Sequence, residues 1–189
     1  MNKGVLALIL VGAIVIGYSL YVTYQSGAAD RGVVTCTTDG TCVWTQHIHA
    51  YVPVEICGER VDLGIDEGEL GDVHTHKEEN VIHLHTALPY DPQTHNVTNA
   101  TQLRLGTFFD SIGTRFDRTG VLDKTNGDAC PDGTGTLKMF VNGRANEEYG
   151  QYVWSNRDVI FIAFDNRTAD EIETELAENP IAFPTVGAE

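Results

Sequence analysis

Basic side chains are scarce. The 189 residues carry 12 Lys and Arg against 27 Asp and Glu, a formal charge of −15, and only four of the basic residues are lysines. So acidic a chain repels phosphate backbones and anionic headgroups, which excludes nucleic acid as an expected partner. There are two methionines, Met1 and Met139, and none of the four cysteines falls in a Cys-x-x-Cys spacing. A zinc ribbon, a thioredoxin-type redox pair and a blue-copper site therefore lack their sulfur ligands. No Walker motif, glycine-rich phosphate loop, Ser-His-Asp order, internal repeat or low-complexity tract is evident. Charge of either sign is missing altogether from Gly4 to Ala29.

That uncharged run opens with GVLALILVGAIVIGYSLYVT. Twenty residues at about 1.5 Å rise cover the roughly 30 Å of bilayer hydrocarbon, so a transmembrane helix is expected over 1–24. Tyr18, Tyr21 and Tyr24 gather at its far end, as interfacial rings do. Lys3 precedes the run and Asp30 follows it, which orients the bulk of the chain outside the cytoplasm. The alternative is a cleaved signal peptide ending at Ser26-Gly-Ala-Ala29; both readings export the rest. Gly12 and Gly17 would let a retained helix pack against other membrane helices, the expected route to partner subunits. Without Lys3 the exported part holds 11 basic and 27 acidic residues, a charge of −16. That field suits solubility and the attraction of cations.

Cysteines and sequons fit export. Cys36, Cys42, Cys57 and Cys130 allow three pairings, and an even count in an exported chain points to two disulfides. Cys36 with Cys42, around the turn-rich TTDGT, and Cys57 with Cys130 is the pairing expected. Asn96, Asn99 and Asn166 each begin an Asn-x-Thr triplet and are candidate glycosylation acceptors, the first two within one polar loop.

The chain divides into an anchor (1–24), a linker with a small disulfide loop (25–41), a domain (42–165) and a terminal acidic helix and tail (166–189). In 42–57, Trp44, Ile48, Ala50, Val52, Val54 and Ile56 share one parity and are expected to face the core of a strand. Gly58 to Arg60 reads as a turn into a short strand, Val61 to Ile65. Residues 72–86 read as a hairpin. Leu103, Phe108, Phe109, Ile112 and Phe116 recur at helical spacing, while Gly106 and Gly113 keep that helix short. LKMFVNGR and DVIFIAF are two further strands, and Thr168-x-x-Glu171 is a capping box opening the last helix before Asn179-Pro180. This order predicts an α+β fold: a transmembrane helix, then a mixed sheet with one packed helix. The segment from FVNGR to WSNRDVIFIAF resembles the end of a β-grasp domain, with Asn156-Arg157-Asp158 where that family has Gly-Asp. The resemblance implies a β-grasp-like topology.

Six of the seven histidines form His-x-His pairs: His47 with His49, His74 with His76, and His83 with His85. Alternate residues of a strand share a face, so each pair presents two imidazoles together. His47 and His49 lie on the parity opposite Trp44 and Ile48. A hairpin turning about Glu79-Asn80 sets His76 opposite His83 and His74 opposite His85, a rectangle of four rings. An isolated exposed pair is ordinarily mere surface; three pairs together point to a metal. Nitrogen ligands without sulfur suit Cu²⁺ or Zn²⁺. A buried hydrogen-bonded network and a pH-responsive interface are the alternatives. His95 reads as solvated.

The motifs H-x-H, H-T-H…I-H and LGxFFDxxG resemble those of an uncharacterised family of membrane-anchored exported prokaryotic proteins. The matching residues are His47, His49, Gly64, Ile65, His74, Thr75, His76, Ile82, His83, Leu105, Gly106, Phe108, Phe109 and Gly113. That family has Asp where Lys77 stands and an acid where His85 stands, and it brings no established activity. The expected function is a non-catalytic metal-binding module on the membrane. The alternatives are an accessory subunit of a membrane or cell-surface assembly, and a three-histidine zinc enzyme with Glu78 or Glu79 as base. Asp128 to Gly133 resembles a calcium loop, but Met139 stands where the ligating Glu belongs, so it reads as a solvated turn.

Overall fold

The structure, a computed structural model, describes residues 12, 16–18, 32–64, 73–75 and 77–186. Along the chain run β1 (Val33–Cys36), β2 (Cys42–Tyr51), β3 (Val54–Ile56), β4 (Glu59–Val61), β5 (His74–Thr75), β6 (Val81–Asp91) and β7 (Asn96–Val97). Helix α1 (Leu105–Ser111) follows, then the short β8 (Phe116–Asp117), β9 (Gly120–Val121), β10 (Lys124–Thr125), β11 (Ala129–Cys130) and β12 (Gly133–Thr134). The chain closes with β13 (Thr136–Val141), β14 (Arg144–Ala145), β15 (Ile160–Asp165) and α2 (Ala169–Glu178).

Two five-stranded sheets carry the fold. The first has the order β1-β2-β6-β5, with β7 also on β6; the second has the order β14-β13-β15-β3-β4. Only β15 with β3 is a parallel pair among the registers of these sheets. Two small sheets, β10-β9-β8 and β11-β12, fill the crossover between α1 and β13.

One chain segment feeds both large sheets. The alternating run expected over 42–57 stops at Tyr51, and β3 joins the other sheet. Pro53 has no N–H to give a ladder, so the break falls there. Its carbonyl still accepts from the amide of Ile162 at 2.9 Å, handing the chain over to β15. The inward residues of both sheets and α1 meet in one apolar cluster that includes Ile48, Ala50, Leu84, Phe108, Phe109, Met139 and Ile162. The opposite face of β15 packs Phe161 and Ala163, with Phe140, against Ile172 and Leu176 of α2. Strand β15 is thus buried at all six positions. Burial on both faces is why IFIAF reads as a continuous apolar run rather than an alternating one.

The α+β, β-grasp-like expectation of one mixed sheet and one packed helix is corrected. From residue 32 on, the described chain is mostly β, with two large sheets and α-helices of seven and ten residues. Helix α1 stops well before Phe116, because Gly113 turns the backbone at φ +66°. Phe116 is instead a residue of β8. The capping box is present: Thr168 accepts from the amide of Glu171, and the Glu171 carboxylate accepts from the amide of Thr168. A charged cluster anchors that helix. Arg167 donates to Asp165, to Glu55 at 2.6 Å and to Glu175 at 2.7 Å, while Lys138 lies 3.0 Å from Asp165.

The expected single-pass placement is also corrected. Among the described residues no helix is long and apolar enough to cross a membrane. The expected span lies almost wholly outside the described residues, of which Gly12 and 16–18 are helical. The disulfides are Cys36–Cys42 and Cys57–Cys130, and they are compatible with an extracellular protein.

Candidate metal centre

Strand β6 is the middle of the site. It pairs antiparallel with β2 on one side, which sets His47 opposite His85 and His49 opposite His83. On its other side it pairs with β5, which sets His74 opposite His83. Opposed residues share a face, so these five imidazoles stand together on the face turned away from Ile48, Leu84 and Leu88. The register between β5 and β6 corrects the expected one by two residues: His74 faces His83, not His85. His76 lies outside the described residues, and so does any pairing of it.

The turn explains the register. Asn80 has φ +57°, a conformation asparagine tolerates better than most residues. Its side chain is buried, accepting from the amide of Leu63 at 2.8 Å and donating to the carbonyl of Val61 at 2.7 Å. Its own carbonyl accepts from Val52 at 2.8 Å. Asn80 therefore pins the start of β6 to the end of β2 and to the strand after β3. The loop preceding it is longer than a tight two-residue turn, and Glu78 and Glu79 lie within it.

Strand β2 is held from its other side as well. The amide of His49 donates to Asn156 Oδ1 at 3.0 Å, and the carbonyl of His49 accepts from Arg157 at 2.7 Å. The amide of Tyr51 donates to Asp158 at 2.8 Å. Asp158 in turn accepts from Asn142, Tyr152 and the amide of Ser155. Asn80, Asn156 and Asp158 thus position the histidine strands through backbone hydrogen bonds.

The rings crowd closely. His83 is the hub, with centroids 4.6 Å from His47, 4.6 Å from His49, 4.9 Å from His74 and 4.5 Å from His85. His49 and His83 stack within 10° of parallel. Burial grades across the group: His83 is fully buried, His74 nearly so, His49 half-buried, and His47 and His85 exposed. Burial is the main reason that the His83 pKa falls from 6.5 to about 3, and the neighbouring His49, His47, His74 and His85 add to it. His83 is therefore neutral at physiological pH, the form in which imidazole ligates a metal.

His47, His49 and His83 bring one ring nitrogen each within 4.8 Å of the other two. Nitrogens that share a tetrahedral ion at 2.0–2.1 Å stand about 3.3 Å apart, so closing the group takes nitrogen movements of at most about 1.5 Å, within reach of ring rotation. His85 and His74 flank this trio. His95 lies apart, in the turn between β6 and β7, with its Nδ1 3.3 Å from the Tyr90 hydroxyl. The sequon residues Asn96, Asn99 and Asn166 are all exposed.

Comparison with protein-family models, with curated proteins and with solved structures gives no match. The site's chemistry therefore rests on its own geometry: three imidazole nitrogens, one at the floor of the group and one at solvent, with two more imidazoles in ring contact.

Proposed function

We propose that this protein binds a divalent transition metal, Cu²⁺ or Zn²⁺, on the outer face of the β2–β6 ladder, through His47, His49 and His83. The observation that carries the reading is the convergence of those three ring nitrogens across two paired strands. Borderline metal ions favour imidazole, and the histidine-only donor set matches them. His85 or His74 stands ready to supply a fourth nitrogen. The exposure of His47 and His85 lets an ion enter from solvent, while neutral His83 supplies a fixed donor at the base. The acidic chain raises the local concentration of cations. This is the architecture of an exchangeable binding site, suited to holding, delivering or sensing the ion.

Untagged protein stripped with chelator and titrated with Zn²⁺ or Cu²⁺ against a chromophoric competitor tests it. One ion per chain is expected, at micromolar affinity or tighter, and His83→Ala should weaken binding at least about tenfold. Absence of micromolar binding of either ion, or unchanged affinity in His83→Ala, would overturn the reading.

A further inference from the structure

The same strand has a second face. Gln46 alternates with His47 and lines a cleft of about 700 Å³ on the side of the sheet away from the five clustered imidazoles. That is the size range of small-molecule sites. Trp44, Tyr90 and Trp154 line the cleft, and Asn96 and Asn156 stand among its polar groups. Among the described residues no Asp, Glu, Lys or Arg lines it, and its one titratable lining group besides Tyr90 is His95, in a chain where 39 of 189 residues carry formal charge (12 basic and 27 acidic).

Two donors in this cleft have no partner among the described residues. Gln46 is 4% exposed and Trp154 1% exposed, and neither the Gln46 Nε2 nor the Trp154 Nε1 finds an acceptor among the described residues. A buried donor without a partner is costly, and few are tolerated in a folded protein. Two in one cleft, beside aromatic rings, have the form of a binding site. The ligand they call for presents acceptor oxygens to both N–H groups, has an apolar face for the rings, and carries no charge. A pyranose ring meets all three conditions: its C–H face packs on an aromatic ring and its hydroxyl and ring oxygens accept.

We infer that this cleft binds an uncharged saccharide, with the indole N–H of Trp154 and the amide of Gln46 as its hydrogen-bond donors and Trp44 or Tyr90 as its stacking platform. The site is separate from the imidazole face and does not depend on a metal there.

The chain has only two tryptophans, and both line the cleft, so intrinsic tryptophan emission reports on it directly. The full chain is titrated with cellotetraose, maltotetraose and chitotetraose up to 10 mM (about the weakest affinity worth the name), with tetragalacturonate as the charged control. A saturable change with at least one neutral sugar and none with the charged one is expected. Trp154→Phe keeps a ring but removes the N–H, and Gln46→Leu keeps the bulk but removes the amide. Each should weaken binding about tenfold, as loss of a hydrogen bond to a dedicated donor does. Gln46→Leu should also raise the melting temperature of the unliganded protein, because a partnerless buried donor has gone, whereas Trp154→Phe leaves a cavity in the core and is read on affinity alone. No saturable response to any neutral sugar, an equal response to tetragalacturonate, unchanged affinity in both variants, or a lower melting temperature of Gln46→Leu would overturn the inference.

Discussion

Acid should destabilise the metal-stripped protein through His83 before it acts through the carboxylates that their partners hold low. His83 sits fully buried beneath its neighbouring imidazoles, and its pKa is lowered from 6.5 to about 3, first by burial and then by the surrounding histidines. On unfolding, the ring regains an ordinary value, so between those limits the unfolded chain binds one proton more than the folded chain. Stability from this group is fully present above pH 6.5 and is lost as pH falls toward 3. The slope approaches about 1.4 kcal/mol per pH unit, so roughly 2–3 kcal/mol should disappear between pH 8 and pH 4.5. Carboxylates held low by their partners act below that window. Burial raises the Asp165 pKa, but hydrogen bonds from Arg167 and Lys138 outweigh it and leave a net lowering, so its contribution is lost only below about pH 4. Urea unfolding of chelator-treated protein at half-unit steps from pH 8 to 4.5 measures the slope. His83→Leu, which removes the titrating group and keeps apolar bulk, should flatten it by that same 2–3 kcal/mol. Equal pH slopes in the two proteins would show that His83 is solvated and the packing of the imidazole face is wrong.

The two disulfides should differ in weight. Cys57–Cys130 closes a loop with a sequence separation of 73 and Cys36–Cys42 one of 6, so replacing each pair by Ala should cost about 4 and about 2 kcal/mol respectively, read by urea unfolding. Asn80→Ala should cost about 3 kcal/mol, since it loses two buried hydrogen bonds and strains a φ of +57°; Asn80→Gly, which keeps the turn, should cost less. Gly135→Ala should cost about 2 kcal/mol in the same assay, because its Cβ would overlap the buried Phe164 ring. Among the histidines, His47→Ala should weaken Zn²⁺ or Cu²⁺ binding more than His74→Ala, because only the former lies in the converging trio; the reverse order would move the site to the β5–β6 hairpin.

Much of the fold is legible locally. The parity of β2 is readable because one of its faces is core and the other is not, which forces Ile48 and Ala50 inward and His47 and His49 outward. The last helix is readable because a capping box is a local device. The partition into two sheets is not. It depends on Pro53 ending one ladder and on Ile162 taking over its carbonyl, a contact between residues more than a hundred positions apart. The charged cluster of Arg167, Asp165, Glu55 and Lys138 is equally invisible, since Glu55 and Lys138 reach the Asp165–Arg167 segment from two other strands whose neighbours the sequence does not name.

The histidines show where local reasoning runs out and why. Strand periodicity puts both members of a pair on one face, and that reading needs only a period of two. A hairpin register needs more: the loop length, which here depends on Asn80 reaching Val61 and Leu63 outside the hairpin. A tight-turn rule, blind to those bonds, places His74 two residues away from its partner. The pairing of β2 with β6 needs more again, because it joins strands separated by β3, β4 and β5. Yet one signal for it is present in the sequence. Cys42 to Tyr51 and Val81 to Asp91 are the two long strands, each with an apolar residue between two histidines, Ile48 in one and Leu84 in the other. Pairing them so that both apolar residues enter the core also pairs the histidines, His47 with His85 and His49 with His83. The core thus fixes the register, and the register assembles the site: burial of Ile48 against Leu84 holds the imidazoles together on the far side, whether or not an ion is bound there.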